Sequence, residues 1–301
     1  MELDSAPKVI PGTFGERCVL VTNGNLPSML ALADWLRLYG DRLAKVYVTY
    51  KLPSSKSNIR GAISLARNSG GSYLWMKLLL NKALPIELKL KGHPSSVMDY
   101  IRKLGLEIPV SFVESVKKPS FLRELKELEP RTLVSFSATQ RFPKQMVDLF
   151  PDGAVNVHYG ALPRFAGLSP YFWHLYQQEE SFGVTLHRIE EALDAGSVIE
   201  QTIAPVLPTT DCIDLLLSMS ERVSPMLIRL FSGETSIADA RAQSQEHRTY
   251  FGHPTRQQVK QFHSMGFSMT SRESIRRLKS EVVKKSIEAT NCAERESARH
   301  A

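Results

Sequence analysis

Short apolar runs separated by amphipathic stretches constrain this chain more than any other feature of it. CVLVTN reads as a first strand, SMLALADWLRLYG as a helix that stops at Gly40, and KVYVTY as a second strand. Further on, MDYIRKLG predicts a short helix, PVSFV a strand, SFLRELKEL a helix, RTLVSFS a strand, KQMVDLF a helix and AVNVHY a strand. Strands that read as unbroken apolar runs are buried on both faces, and their alternation with helices implies parallel pairing through crossovers. The expected fold class is α/β: a doubly wound, mostly parallel Rossmann-like sheet with helices on both faces and a small helical C-terminal extension. In such sheets ligands bind outside the carboxyl ends of the strands.

After Pro170 the pattern continues as a helix, YFWHLYQQ, and two strands, FGVTLHRI and SVIEQTIAPV, joined by EEALDAGS. The run CIDLLLSMSERVSPMLIRLF predicts a long amphipathic helix that Pro225 kinks or divides. From Gly233 the chain turns polar. GHPTRQQVKQFHSMG predicts a further helix, and the last thirty or so residues, charged and poor in large apolar groups, read as a solvated helix or disorder. The expected division is therefore a catalytic unit over 1–232 and a polar, mainly helical extension over 233–301.

Charge is unevenly placed. The whole chain carries +7, yet between Lys51 and Lys103 ten Lys/Arg face only Glu87 and Asp99. A less regular, Gly/Ser-punctuated basic insert at about 51–91, containing SYLWMKLLL, predicts one or two helices. Such a patch either steers an anionic ligand or is a solvated face. Its aromatics, Tyr73, Trp75 and Tyr100, are too sparse for an RNA-stacking platform. The start has acidic residues and no apolar core, so it does not read as a signal peptide, and charges interrupt every apolar run short of a membrane span. Cys18, Cys212 and Cys292 lie far apart without metal-ligand spacing. Cytoplasmic localisation, no membrane and no metal are the expectations.

The chemistry concentrates in VNVHYGALPRFAGLSP, residues 155–170. Asn156 and His158 stand two apart on a predicted strand and therefore project to one side near its end. Pro163 and Gly167 break regular structure and let backbone come close to something bound. With an Asp gathered beside them at the strand ends, such a set suits acyl transfer without a covalent intermediate. A neutral amide donates to a developing oxyanion, an imidazole donates or relays a proton, and a carboxylate raises the imidazole's basicity. No GxSxG, HExxH, P-loop or GxGxxG competes. In VTNGNLPS, the NGN turn either opens a helix N-terminus that receives an anion or is a plain turn.

Asn-x-His alone is a weak signal; the series is specific. NVH, LPRFAG, GVTLH at Gly183 to His187, DAG with Asp194 lying 38 residues after Asn156, and IEQ together resemble the formyltransferase family over roughly residues 130–230. Members use 10-formyltetrahydrofolate to formylate glycinamide ribonucleotide, methionyl-tRNA or amino sugars. The resemblance implies that Asn156, His158 and Asp194 are the catalytic residues and that 10-formyltetrahydrofolate is the formyl donor. It also places Thr139, Gln140 and Phe142 on one wall of the pterin pocket and Glu190, Glu191 and Leu193 on the other. Asn25, Gly167 and Tyr171 are assigned to the acceptor. Tyr159, Gly160 and Ala161, standing where the family has Pro or Gly and Ser, depart from its pattern on the acceptor side. His187 reads as structural, and Trp173 and His174 as packing.

The implied activity is N-formyl transfer to the amine or hydroxylamine of a small molecule, such as an amino sugar or amino acid derivative. A methionyl-tRNA enzyme is the alternative, disfavoured because residues 207–301 show no run of short strands for a tRNA-holding β-barrel. A formyltetrahydrofolate hydrolase is disfavoured because about 16 residues precede the first strand. A catalytically idle folate-binding module would share the fold but has no use for an intact triad. Nucleic acid is disfavoured as a partner, and a homodimer is left open.

Overall fold

The computed structural model describes residues 14–49, 55–138, 140–207, 210–244 and 246–300. A seven-stranded sheet runs through it in the order β3-β2-β1-β4-β5-β7-β8. Five strands are parallel: β1 (Cys18–Thr22), β2 (Leu43–Thr49), β3 (Val110–Val113), β4 (Thr132–Phe136) and β5 (Gly153–His158). The two-residue strand β6 (Ala166–Gly167) follows, outside this sheet. Then β7 (Ser181–Arg188) and β8 (Val198–Pro205) add antiparallel to the β5 edge. A last short strand, β9 (Tyr250–Phe251), pairs in parallel with β6.

Helices cover both faces, as expected. Along β1, Cys18 and Leu20 belong to one apolar cluster and Val19 and Val21 to the other. The larger cluster takes in α1 (Leu26–Tyr39), the three helices of the basic insert, α2 (Ser55–Ser69), α3 (Gly71–Leu78) and α4 (Leu84–Leu90), and α5 (Val97–Lys103). The smaller is closed by α6 (Pro119–Glu127) and α7 (Lys144–Val147). Then α8 (Pro170–Tyr176), α9 (Cys212–Ser220), α10 (Val223–Ser232), α11 (Arg256–Ser264) and α12 (Arg272–His300) extend the larger cluster. The predicted long helix is divided between α9 and α10 just before Pro225, where a ring without an N–H is tolerated in a first turn.

Two expectations change. The basic insert forms three helices joined in part by a π-turn at Leu79–Ala83, one more than the pattern suggested. The tail is neither disordered nor fully solvated. Leu278, Val282 and Ala289 of α12 are buried. Lys285 pairs with Asp34 of α1 at 2.8 Å, and Lys279 with Glu87 of α4 at 2.7 Å. The basic patch is also partly neutralised, since Glu87 holds Lys91 as well and Asp99 holds Arg102. Lys51 and the side chains of Lys56 and Arg60 lie outside the described residues. Among the described residues, no helix is long and apolar enough to cross a membrane.

Candidate active site

On β5, Val155 and Val157 enter the larger apolar cluster while Ala154 enters the smaller one. Asn156 and His158 therefore share the opposite side from the valines, as the period of two requires. Both line a cavity of about 480 Å³ at the carboxyl ends of β1, β4 and β5. Asp194 reaches it from the loop between β7 and β8. Its Oδ1 lies 3.6 Å from His158 Nδ1, and its Oδ2 accepts the Gly167 N–H at 2.9 Å. His158 and Asp194 are each 8% exposed.

The hydrogen bonds fix the protons. His158 Nε2 lies 2.8 Å from the Phe165 carbonyl, which only accepts, so Nε2 carries a proton. Nδ1 then presents a lone pair toward Asp194. Protonating Nδ1 would turn that contact into an ion pair. By the same logic, His187 donates from Nδ1 to the Arg188 carbonyl at 2.8 Å and offers Nε2 as an acceptor to Asn156 Nδ2 at 3.1 Å. Burial pulls the His187 pKa below the usual imidazole value, against the pull of the Asp194 charge, and so keeps the acceptor form. One Asn156 N–H is thereby engaged and the other is left over. His187, read from the sequence as structural, is thus in contact with the site. The antiparallel register that sets Asn156 opposite His187 brings them together.

The rest of the motif series supports this geometry from beneath. Thr185 donates to the Gly160 carbonyl at 2.6 Å, and Gln201 donates to Thr185 and to the Leu162 carbonyl, both at 2.9 Å. The GVTLH and IEQ residues thus latch the loop that leaves β5. Gly167 has a specific reason to be glycine: its φ is +99°, and a Cβ would collide with the Phe251 carbonyl of β9. The close approach expected to involve a ligand involves β9, while the Gly167 N–H orients Asp194. Trp173 donates to the Gly252 carbonyl and His174 to the Pro170 carbonyl, and both are buried.

Residues beyond Ser232 hold the Asp194 loop, which the sequence did not reveal. Gln243 Nε2 donates to the carbonyls of Asp194 at 3.2 Å and Gly196 at 2.6 Å, and Arg248 donates to the Leu193 carbonyl at 2.5 Å. Asp194 needs this support because its φ is +52°, a left-handed conformation disfavoured for a residue with a side chain. Polar residues in a polar segment carry no periodic signal that would single them out.

The expected folate walls border the same cavity. Gln140, Phe142, Glu190, Glu191 and Leu193 all line it; Thr139 lies outside the described residues. Gln140 is tied down, its amide spanning the Glu114 carbonyl and the Val116 N–H. Glu190 accepts from Ser197. The chemistry of this lining fits a flat heteroaromatic ring, with Phe142, Ile189 and Leu193 as apolar walls and polar groups between them. Asn25, Gly167 and Tyr171 border the cavity too. The NGN turn resolves as a self-capped helix start: Asn25 Oδ1 accepts from Ser28 N at 3.0 Å. Among the described residues, no three His, Cys, Asp or Glu are grouped to hold a metal ion.

Comparison with known proteins agrees with this picture. The methionyl-tRNA formyltransferase of Syntrophus aciditrophicus is 36% identical over 108 residues, which is 36% of this chain and 35% of that one. That of Thermus thermophilus is 29% identical over 160 residues, 50% of this chain and 52% of that one. The chain thus spans between about a third and a half of the curated relatives it matches. Two solved structures share its fold, each with a TM-score of 0.50. One is a sugar 3N-formyltransferase crystallised with dTDP and 5-N-formyl-THF, at 16% identity over 79% of this chain and 70% of that one. The other is a phosphoribosylglycinamide formyltransferase from Streptococcus pneumoniae, at 13% identity over 73% of this chain and 98% of that one. A family model described as formyl transferase matches residues 67–229, more than half of the sequence and all of the Asn156, His158, Asp194 cluster, so the chain belongs to the formyl transferase family.

Proposed function

We propose that this protein transfers a formyl group from 10-formyltetrahydrofolate to the amine of a small molecule. The observation that carries this reading is the convergence of Asn156, His158 and Asp194 on one cavity, with the His158 proton fixed on Nε2. The folate supplies, when bound, an activated formyl carbon whose oxygen gathers negative charge as an amine adds.

The Asn156 N–H left over from His187 donates to that oxygen, and the amide is neutral, so it does not repel the charge. His158 Nδ1 takes the proton that the attacking amine must lose, directly or through one water. Asp194, 3.6 Å away, then balances the imidazolium, and Nδ1 returns the proton to the departing folate nitrogen. In the neutral state His158 cannot donate to the oxygen from Nε2, because the Phe165 carbonyl holds that N–H. Asn156 is therefore the neutral donor, and His158 becomes a donor only once protonated.

A second reading, formylation of methionyl-tRNA, is favoured by the names of the curated relatives. Incubating the full chain with 10-formyltetrahydrofolate and a panel of amino sugars, amino acid derivatives and methionyl-tRNA tests both. The expected result is release of tetrahydrofolate with a mass gain of one carbonyl group on a small amine. Formylation of methionyl-tRNA alone would replace the first reading with the second, and release of formate without an acceptor product would overturn both.

A further inference from the structure

Lys77 of α3 borders the same cavity as Asn156 and His158. Its Nζ donates to the Tyr171 hydroxyl at 2.5 Å and lies 5.3 and 5.2 Å from the ring centroids of Tyr73 and Tyr171. Two rings and a hydroxyl thus position the ammonium. Neither tyrosine balances its charge, because burial pushes both phenol pKa values up and keeps them protonated. Other partly buried lysines are treated differently: Lys45 meets Glu124 at 2.6 Å, and Lys285 meets Asp34 at 2.8 Å. Among the described residues, no carboxylate lies within ion-pair distance of Lys77. An ammonium has three donors; the Tyr171 hydroxyl takes one and the Tyr73 hydroxyl stands against a second, which leaves one for a ligand.

A second place in the cavity to hold an anion would be the α1 N-terminus, but Asn25 caps it with its own side chain. Asn81, next to Lys77 on this wall, is also engaged, accepting from Asn25 and donating to the Lys77 carbonyl. Two Lys/Arg side chains among the described residues line the cavity: Arg141, next in sequence to Gln140 and Phe142 of the expected folate lining, and Lys77, in contact with Tyr171 of the expected acceptor lining, so the positive charge on offer to the acceptor is Lys77. We propose that Lys77 Nζ is the subsite for an oxyanion group, phosphate or carboxylate, carried by the amine acceptor. This rests on the reading of the cavity as a formyl-transfer site and narrows its substrate class to anionic small amines. Tyr73 and Tyr171 hold the ammonium in place, so the anion meets a fixed charge without the entropy loss of ordering a free lysine chain.

Calorimetry on the full chain with 5-formyltetrahydrofolate bound tests this, using glucosamine 6-phosphate against glucosamine and methionine against methioninamide. One pair probes phosphate and the other carboxylate. The wild-type protein should bind the anionic member of at least one pair tenfold or more tightly than its neutral partner. Lys77→Met should abolish that preference and Lys77→Arg should retain part of it, while the folate dissociation constant stays unchanged in both. Equal or undetectable binding of both members in both pairs would overturn the proposal, as would a preference that survives Lys77→Met. If the preference depends on Lys77 but no amine in the panel is formylated, the anion subsite stands and the transfer reading falls.

Discussion

His187 Nε2 accepts a hydrogen bond from Asn156 Nδ2 at 3.1 Å, and that contact decides which amide hydrogen of Asn156 remains for a ligand. The amide could rotate about its terminal torsion, which is soft. A neutral, buried imidazole whose other nitrogen is committed to the Arg188 carbonyl removes that freedom. If this orientation matters, His187→Phe should lower kcat by roughly tenfold to a hundredfold, the scale of a misplaced catalytic group. Folate affinity should stay near wild type. A role confined to packing would instead lower the melting temperature and leave kcat alone.

Asn156→Asp removes the donor and sets a negative charge where the oxyanion forms. Turnover should fall by about a hundredfold to a thousandfold, with circular dichroism unchanged. Activity within a few-fold of wild type would remove Asn156 from the mechanism proposed above.

The strands and the Asn156/His158 pair were legible because both depend on local periodicity: apolar runs for the sheet, and a spacing of two for the shared side. Asp194 was legible only through the whole motif series, since 38 residues and a hairpin separate it from Asn156. The part played by His187 was not legible, because an antiparallel register between β5 and β7 is a non-local choice that neither strand announces alone. The Gln243 and Arg248 contacts were hidden for a related reason. They donate from an irregular segment to backbone carbonyls, and any polar residue could have stood there.

Gln243 therefore makes a direct test of long-range support. Gln243→Leu removes two donors to the Asp194 loop and leaves the left-handed Asp194 backbone less well held. The expected outcome is a fall in kcat of about tenfold, on the scale of a catalytic group held less accurately. Formyl-donor KM should rise as well, because Glu191 and Leu193 of the same loop line the expected folate wall. Unchanged kinetics would show that Gly167 and Arg248 hold the Asp194 loop without Gln243.

His174 sets a pH dependence of stability. Burial, opposed by its bond to the Pro170 carbonyl, lowers its pKa to about 4 from the ordinary 6.5. The unfolded chain therefore binds a proton between those values that the folded chain refuses. Stability is fully present above about pH 6.5 and is lost as pH falls toward 4, and His187 acts in the same direction. Between pH 7.5 and 5.0, denaturant unfolding should show a loss on the order of 2 kcal/mol from His174 alone. His174→Gln should have a visibly shallower slope; identical slopes would remove His174 as the cause.

The last helix tests how much of the fold lies beyond the family match. The charges of α12 conceal a stripe, Ser274, Leu278, Val282, Ser286 and Ala289, at helical spacing and each no more than 3% exposed. Leu278 and Val282 would each forfeit roughly 1.5–3 kcal/mol if left in water. Removing residues 272–301 would also uncover the apolar surface of α1 and α5 that the stripe covers, and free the Lys285–Asp34 and Lys279–Glu87 pairs. A total of about 5 kcal/mol is comparable with the whole stability of many domains. The truncated chain should therefore be insoluble or melt far below the full chain. Because insolubility has several causes, Leu278→Ala in the full chain is the sharper measurement, with an expected loss of about 2–5 kcal/mol in denaturant unfolding. A cost under about 0.5 kcal/mol, the range of ordinary surface substitutions, would return the helix to the solvated tail that its composition suggests.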